Sequence, residues 1–251
     1  MAPWRHKEGS GSGPKTAGEL GHSQFGTALD QIIHANNADY DELKWIAIPG
    51  RWGGNYRGPQ EFADTMAPLV WGSWLELNPG AEHPGREAVD RTALEIRTYA
   101  EKYGGSRPQN PFEIVTYLYL PDPHKHAFLV HTCVDDRPGL TVEQAVTDPE
   151  AIQTPVLEEF TTAALGTGVK ATCHGVLDPR PGDLPGAQGM WVSVCYAFAV
   201  PGRQAVVTVR ATDTDLAWMS AAAADLDEFV RCITLALADG TPVHVGPAPA
   251  G

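Results

Sequence analysis

The chain has 251 residues, 43 % of them hydrophobic and 20 % charged, with a formal net charge of −13. That balance suits a folded chain long enough for one large domain or two small ones, and it excludes a disordered polyelectrolyte. The negative charge has no Lys or Arg run to offset it locally, which argues against nucleic acid and anionic lipid as partners. No apolar run approaches the ~20 residues that span a bilayer, and the polar start Met1-Ala-Pro-Trp-Arg-His-Lys-Glu8 does not read as a secretory signal. Cys133, Cys173, Cys195 and Cys232 each sit inside an apolar strand or helix pattern without a C-x-x-C pair. Such cysteines suit buried free thiols and a reducing, cytoplasmic location.

Residues 1–20 are polar and rich in Gly, Ser and Lys, and read as a disordered arm. Their GxGxG spacing (Gly9 to Gly13) is not a dinucleotide fingerprint, because no strand precedes it and Pro14 follows. A short helix is predicted over 24–35, capped by Ser23, with Phe25, Leu29, Ile32 and Ile33 as its apolar side. Residues 44–49 form a first strand, ended by Pro49-Gly50. After a Gly-rich loop, Pro59 suits the first turn of a helix with Phe62, Met66, Leu69 and Val70 on one face and a bend at Pro68. A further helix over 86–103 turns Val89, Ala93, Ile96, Ala100 and Tyr103 inward, with Gly104 as its stop. Two doubly apolar strands, 112–120 and 127–134, suit central positions in a sheet. Residues 141–146 and 155–165 are predicted helical, the second presenting Val156, Phe160 and Ala163. Residues 169–177 form another strand, and the Pro/Gly-rich stretch 178–188 an exposed loop.

The ending, 191–237, organises the rest. Val192, Val194, Tyr196 and Phe198 alternate along one strand, and Ala205, Val207 and Val209 continue that face on a second. A tight reversal at Pro201-Gly202 sets Phe198 opposite Ala205 and Tyr196 opposite Val207. Ser193, Cys195, Thr208 and Arg210 make the other face polar. One long helix then supplies Leu216, Met219, Leu226, Phe229, Val230, Ile233 and Leu237 at helical spacing. The expected fold is α+β: an antiparallel sheet flanked by helices, ending in a β-hairpin and a long C-terminal helix. It spans 21–238 as a single domain between the arm 1–20 and a disordered Pro/Gly tail, 239–251.

The hairpin–helix ending, with Asp225-Leu-Asp-Glu-Phe-Val-Arg-Cys-Ile233 as the closing helix, resembles the PsbP-like fold. That fold includes the photosystem II extrinsic proteins and the LpqN-type bacterial lipoproteins. The resemblance covers about residues 112–237, a pattern of hydrophobicity rather than of catalytic residues. The segment Ile46-Ala-Ile-Pro-Gly-Arg-Trp52 followed by Pro59-Gln-Glu-Phe-Ala63 is similar to the opening of bacterial cytosolic proteins with this ending. Unlike the LpqN type, no export signal or lipid-anchor cysteine is evident, and the helices between 59 and 103 are an elaboration. PsbP-like proteins are mostly accessory or binding proteins, so the resemblance implies no catalytic residue.

Motifs for catalysis are weak. No G-x-S-x-G and no P-loop is present. His131 and Cys133, two apart on a strand, share a face, and with Cys173 and His174 on another strand they could approximate a zinc site. Cys173 and His174 are adjacent, however, and point to opposite faces, and buried thiols explain them equally. His124 and His126 read as a solvated hairpin tip, and Asp135-Asp136 as turn chemistry. The loop 51–58 is least explained by folding: Arg51, Trp52, Tyr56 and Arg57 lie among glycines, and Trp, Tyr and Arg are enriched at binding hot spots. Alternatively Trp52 and Tyr56 fold back and cap the core. The sequence therefore suggests a cytosolic accessory or protein-interaction protein without catalysis or cofactor, contacting an unidentified protein partner through Arg51, Trp52, Tyr56 and Arg57. The alternative is a hydrolase or metal-dependent enzyme using His131, Cys133 and His174.

Overall fold

The computed structural model describes residues 33–37, 41–42, 44–105, 114–135, 137–177, 189–200, 203–237 and 242–243. All belong to the unit Ile33–Gly251, one of the two into which the chain divides. The arm 1–20, the loop 178–188 and most of the tail lie outside the described residues.

Seven strands form one sheet. They are β2 (Trp45–Ala47), β3 (Ile114–Tyr119), β4 (Phe128–Asp135), β5 (Leu157–Thr162), β6 (Gly166–Val176), β7 (Met190–Ala199) and β8 (Val206–Asp213). Their order is β2-β3-β4-β8-β7-β6-β5, and each neighbouring pair is antiparallel. A smaller sheet joins β1 (Ile33–Asn37), β9 (Ile233–Leu237) and β10 (Pro242–Val243). The helices are α1 (Pro59–Leu77), α2 (Arg86–Tyr103), α3 (Val142–Val146), α4 (Leu216–Ala221) and α5 (Ala223–Arg231). The antiparallel α+β architecture is the expected one.

Alternation along the strands gives the large sheet two buried faces. One carries Tyr117, Tyr119, Val130, Val192, Val194, Tyr196, Phe198, Val207 and Val209, and packs against Met219, Leu226, Phe229, Val230, Ile233 and Leu235. The other is shared. Near β2 and β3, Ile46, Ile48, Leu118 and Leu120 meet Phe62, Ala63, Ala67 and Val70 of α1 and Ile96 and Ala100 of α2. Towards β6 and β7, Ala171, Cys195 and Ala197 meet Val146 of α3. That short helix is fixed by a reciprocal cap between Thr141 and Gln144.

Five expectations need correction. The long C-terminal helix is absent: the run divides at Ala222 into α4 and α5, and Ile233 begins β9. The segment Ile233-Thr-Leu alternates buried, exposed, buried, so the period of two overrides the helical spacing that Ile233 also satisfies. Residues 157–162 form the edge strand β5 rather than a helix; Phe160 is buried as expected, but Val156 is 77 % exposed. Pairing with β6 outweighs the local helix propensity of Glu158, Glu159 and Ala163. Ile33 to Ala35 lie in β1, while the rest of the predicted helix 24–35 is outside the described residues. Within the tail, Pro242 and Val243 pair with β9. The hairpin register also moves by two, to Phe198 opposite Val207 and Tyr196 opposite Val209. The bond from Val200 N–H to the Ala205 carbonyl places the turn later than expected. A shift of two keeps every side chain on its face.

α5 is fastened to the sheet by two carboxylates. Asp225 accepts from the Tyr119 hydroxyl at 2.5 Å and pairs with Lys44 at 3.0 Å. Asp227 accepts from the Tyr196 hydroxyl at 2.5 Å and pairs with Lys170 at 2.7 Å. Burial first, and then the carboxylate bond, holds both phenols above the ordinary tyrosine value. The sign follows: the unfolded chain releases these protons first, so their stabilisation is complete below about pH 10 and is lost as pH rises beyond it. Urea unfolding should show stability falling above about pH 10, and falling less steeply in the Tyr119→Phe/Tyr196→Phe variant. That variant should also lose roughly 1–3 kcal/mol at neutral pH for each hydroxyl-to-carboxylate bond removed, with Lys44 and Lys170 still paired to the carboxylates.

Candidate functional site

The expected contact loop folds inward at its aromatics. Trp52 is half-buried 6.1 Å from the Phe62 ring, and Tyr56 meets Phe62 edge-on at 5.0 Å. The Trp52 indole lies on Gly104 and Gly105, where an added Cβ would come within 2.4 Å and 2.6 Å of it. Gly105 also has φ +83°, which suits glycine. A bond from Gly53 N–H to the Tyr56 carbonyl closes the loop. Arg51 and Arg57 remain exposed, and Arg57 Nε bonds Glu61 at 2.9 Å.

The residues of the enzymatic alternative do not converge. His131 and Cys133 share one face of β4, and His131 Nδ1 lies 3.1 Å from the Thr116 hydroxyl, with its ring 5.4 Å from that of Tyr103. His174 lies on β6, three strands further along and on the opposite face, since Ala171 and Cys173 share the face of His131 through Cys195 and Arg210. Strand spacing alone separates β4 from β6 by about 14 Å. The thiols are employed structurally: Cys173 Sγ contacts the Val146 carbonyl at 3.6 Å, and Cys195 Sγ the Ala145 carbonyl at 3.7 Å. Burial pushes the Cys195 thiol up to about 11, which makes it a poor nucleophile at neutral pH. All four cysteines are free. Among the described residues, no group of three or more His, Cys, Asp or Glu is placed to hold a metal ion.

What sequence reasoning missed lies at one end of the sheet, where β4 and β7 begin and β6 and β8 finish. His126 Nε2 bonds both oxygens of Asp213, at 2.8 and 3.1 Å. Its main chain is held too: Trp218 Nε1 donates to the His126 carbonyl, and the next residue, Ala127, donates to Glu95 and accepts from Tyr99. Burial raises the Glu95 carboxyl above its ordinary value. His124, on the same connection, packs edge-on between Trp71 and Trp74, 4.8 Å from each. The histidines are exposed, as a solvated tip requires, and they also fasten the β3–β4 connection to α1 and β8. Two histidines beside prolines gave no signal of those distant partners.

Beside Asp213 is a recess of about 740 Å³, lined by Asp148, Glu150, Leu177, Trp191, Thr212 and Thr214, among others. Asp148 bonds Arg210 Nη1 at 2.9 Å and receives the Glu150 N–H. Trp191 lies over Gly175, its partner in register, where an added Cβ would stand 2.1 Å from the indole. The tight seat makes Gly175 a packing requirement for the recess. Gly175→Ala should cost about 1–3 kcal/mol of stability and shift Trp191, read as a lower thermal midpoint together with an altered near-UV tryptophan signal.

In comparisons with known proteins, no family model, no curated protein and no solved structure matches the chain.

Proposed function

We propose that this protein is a cytoplasmic accessory protein that acts by binding a protein partner, without catalysis. The observation that carries the reading is the architecture of the loop 51–57. Its aromatics, Trp52 and Tyr56, brace it against Phe62, while Arg51 and Arg57 face solvent on a chain of net charge −13. A braced loop loses little freedom on binding, which favours association. Arg51, with Arg57 beside it partly neutralised by Glu61, offers a local cationic entry to an acidic partner that the rest of the surface repels. Trp52 and Tyr56 thus contribute by holding the loop in shape, with their edges at its surface. Four free thiols fit a reducing compartment, and no described helix is long and apolar enough to cross a membrane. The resemblance to PsbP-like proteins of the sequence from the β7–β8 hairpin through α5, after which β9 follows, favours an accessory role. A hydrolase or metal enzyme built on His131, Cys133 and His174 is disfavoured by their placement on opposite faces of the sheet.

Two variants separate shape from contact. Trp52→Ala should lose about 3–5 kcal/mol, as for other buried aromatic truncations, moderated by its half-exposure. Arg51→Glu/Arg57→Glu should keep the thermal midpoint close to wild type yet lose the partner in a pull-down from native cytosol. Undiminished recovery by the double variant would remove the loop from the contact surface. Stoichiometric metal in the purified protein, or an esterase or phosphatase activity lost in a folded His131→Ala variant, would favour the enzyme instead.

A further inference from the structure

β5 stands at one end of the large sheet and pairs with β6 alone. In an antiparallel pair, every second residue turns its N–H and C=O away from the neighbouring strand. The outward groups of Leu157–Thr162 meet no hydrogen-bond partner among the described residues. The opposite edge differs: β2 is three residues long, and its Trp45 and Ile46 are buried. β5 is also held in place. Thr161 Oγ1 lies 3.1 Å from Thr167 Oγ1 across the two strands, and Phe160 is buried with the Arg231 guanidinium 5.1 Å from its ring. A braced strand with open main-chain groups is the kind of edge to which an extended segment adds as a further strand.

The side chains select the occupant. Leu157, Glu159 and Thr161 share one side of the strand, and all three are exposed, Leu157 to 44 %. Val156, just before the strand, is exposed as well. Glu159 stands opposite Val169 and has no ion-pair partner among the described residues. On the other side, Glu158 stands opposite Lys170, which is turned to Asp227. A second copy of this chain suits the edge poorly. Laid antiparallel with faces matched, it brings Glu159 opposite its counterpart in the other copy, or diagonal to it in the next such register. Like charges so placed destabilise a strand pair, and the net charge of −13 adds to the repulsion. An acidic segment meets the same repulsion, whereas a basic one is attracted, and the exposed Leu157 and Val156 favour apolar neighbours. We infer that β5 takes up an extended segment of a partner protein as a further antiparallel strand, with a Lys or Arg opposite Glu159 and an apolar side chain two residues on, opposite Leu157. The inference rests on the reading of this chain as a binding protein. It uses a surface separate from the loop 51–57, and its basic target is distinct from the acidic surface that suits that loop.

The test titrates a fluorescein-labelled peptide, Thr-Thr-Val-Lys-Thr-Val-Val, with the purified full-length protein and reads anisotropy. The peptide should bind saturably. With glutamine in place of its lysine it should bind more weakly, and with glutamate weaker than the lysine form by about tenfold. Glu159→Lys, a change at an exposed position, should keep the thermal midpoint and invert that order. The reversed sequence, which matches a parallel strand, should bind less well; tighter binding would overturn the orientation. N-methylation separates strand addition from charge attraction. Of two probes methylated on alternate amides, only the one blocked on the side facing β5 should lose binding, and equal behaviour of the two would overturn the added strand. Absence of saturable binding up to roughly 1 mM would overturn the site. Indifference to the charge at position 159 would overturn the basic occupant. A dimer of the protein alone, seen by sedimentation and displaced by the peptide, would give the edge to a second copy and overturn the inference. The Arg51→Glu/Arg57→Glu variant should bind the peptide as the wild type does, so the edge and the loop 51–57 fail independently.

Discussion

Asp225 and Asp227 fasten α5 across the large sheet. Two residues apart on a helix, they point to opposite sides of the axis, with Leu226 between them facing the core. One reaches Tyr119 on β3 and the other Tyr196 on β7, strands that lie about 14 Å apart by sheet spacing. α5 therefore bridges the sheet, and the apolar stripe of Leu226, Phe229 and Val230 is pressed onto Val209 and its neighbours. Lys44 and Lys170 join the same carboxylates, so neither charge is left uncompensated at the edge of the core. Lys170 also stands over the Tyr196 ring at 5.3 Å, and Arg231 over Phe160 at 5.1 Å. The last contacts tie the edge strand β5 to the same helix.

With one face closed by α5 and β9, the variation in this fold lies on the other. There the covering is split: α1 and α2 serve the β2 side and α3 the β6 side. Between them, on β4, β8 and β7, stand His131, Arg210 and Cys195, adjacent in register. Arg210 turns to Asp148 and to the Ala145 carbonyl, which anchors the end of α3. Where the strands end, a recess is lined, among the described residues, by Thr212 and Trp191. Its walls come from four separated stretches of chain, around residues 148, 176, 191 and 213.

Much of the fold was legible in the sequence because single segments carried periodic patterns that only one structure satisfies. The helix 86–103 and its stop at Gly104 follow from apolar spacing and glycine alone. The hairpin of β7 and β8 follows from alternation, and even its misplaced register kept Tyr196 and Phe198 on the right face. The capped helix after Thr141 was marked by its own residues. Exposure of Arg51 and Arg57 was also within reach, as were free cysteines in apolar surroundings.

Tertiary structure decided what local pattern leaves balanced. Residues 157–162 carry helix formers and β formers together, and only the availability of β6 as a neighbour makes them a strand. Ile233 fits a helical stripe and a strand equally, and pairing with β1 settles it. The side-chain partnerships are less legible still: Asp225 with Tyr119 spans 106 positions and His126 with Asp213 spans 87. Sequence spacing contains no signal for such pairs, because the groups meet only once strand order and register bring them together. For the same reason the chemistry of His131, Cys133 and His174 could be imagined from residue types, whereas the sheet alone determined that they stand on opposite sides of it.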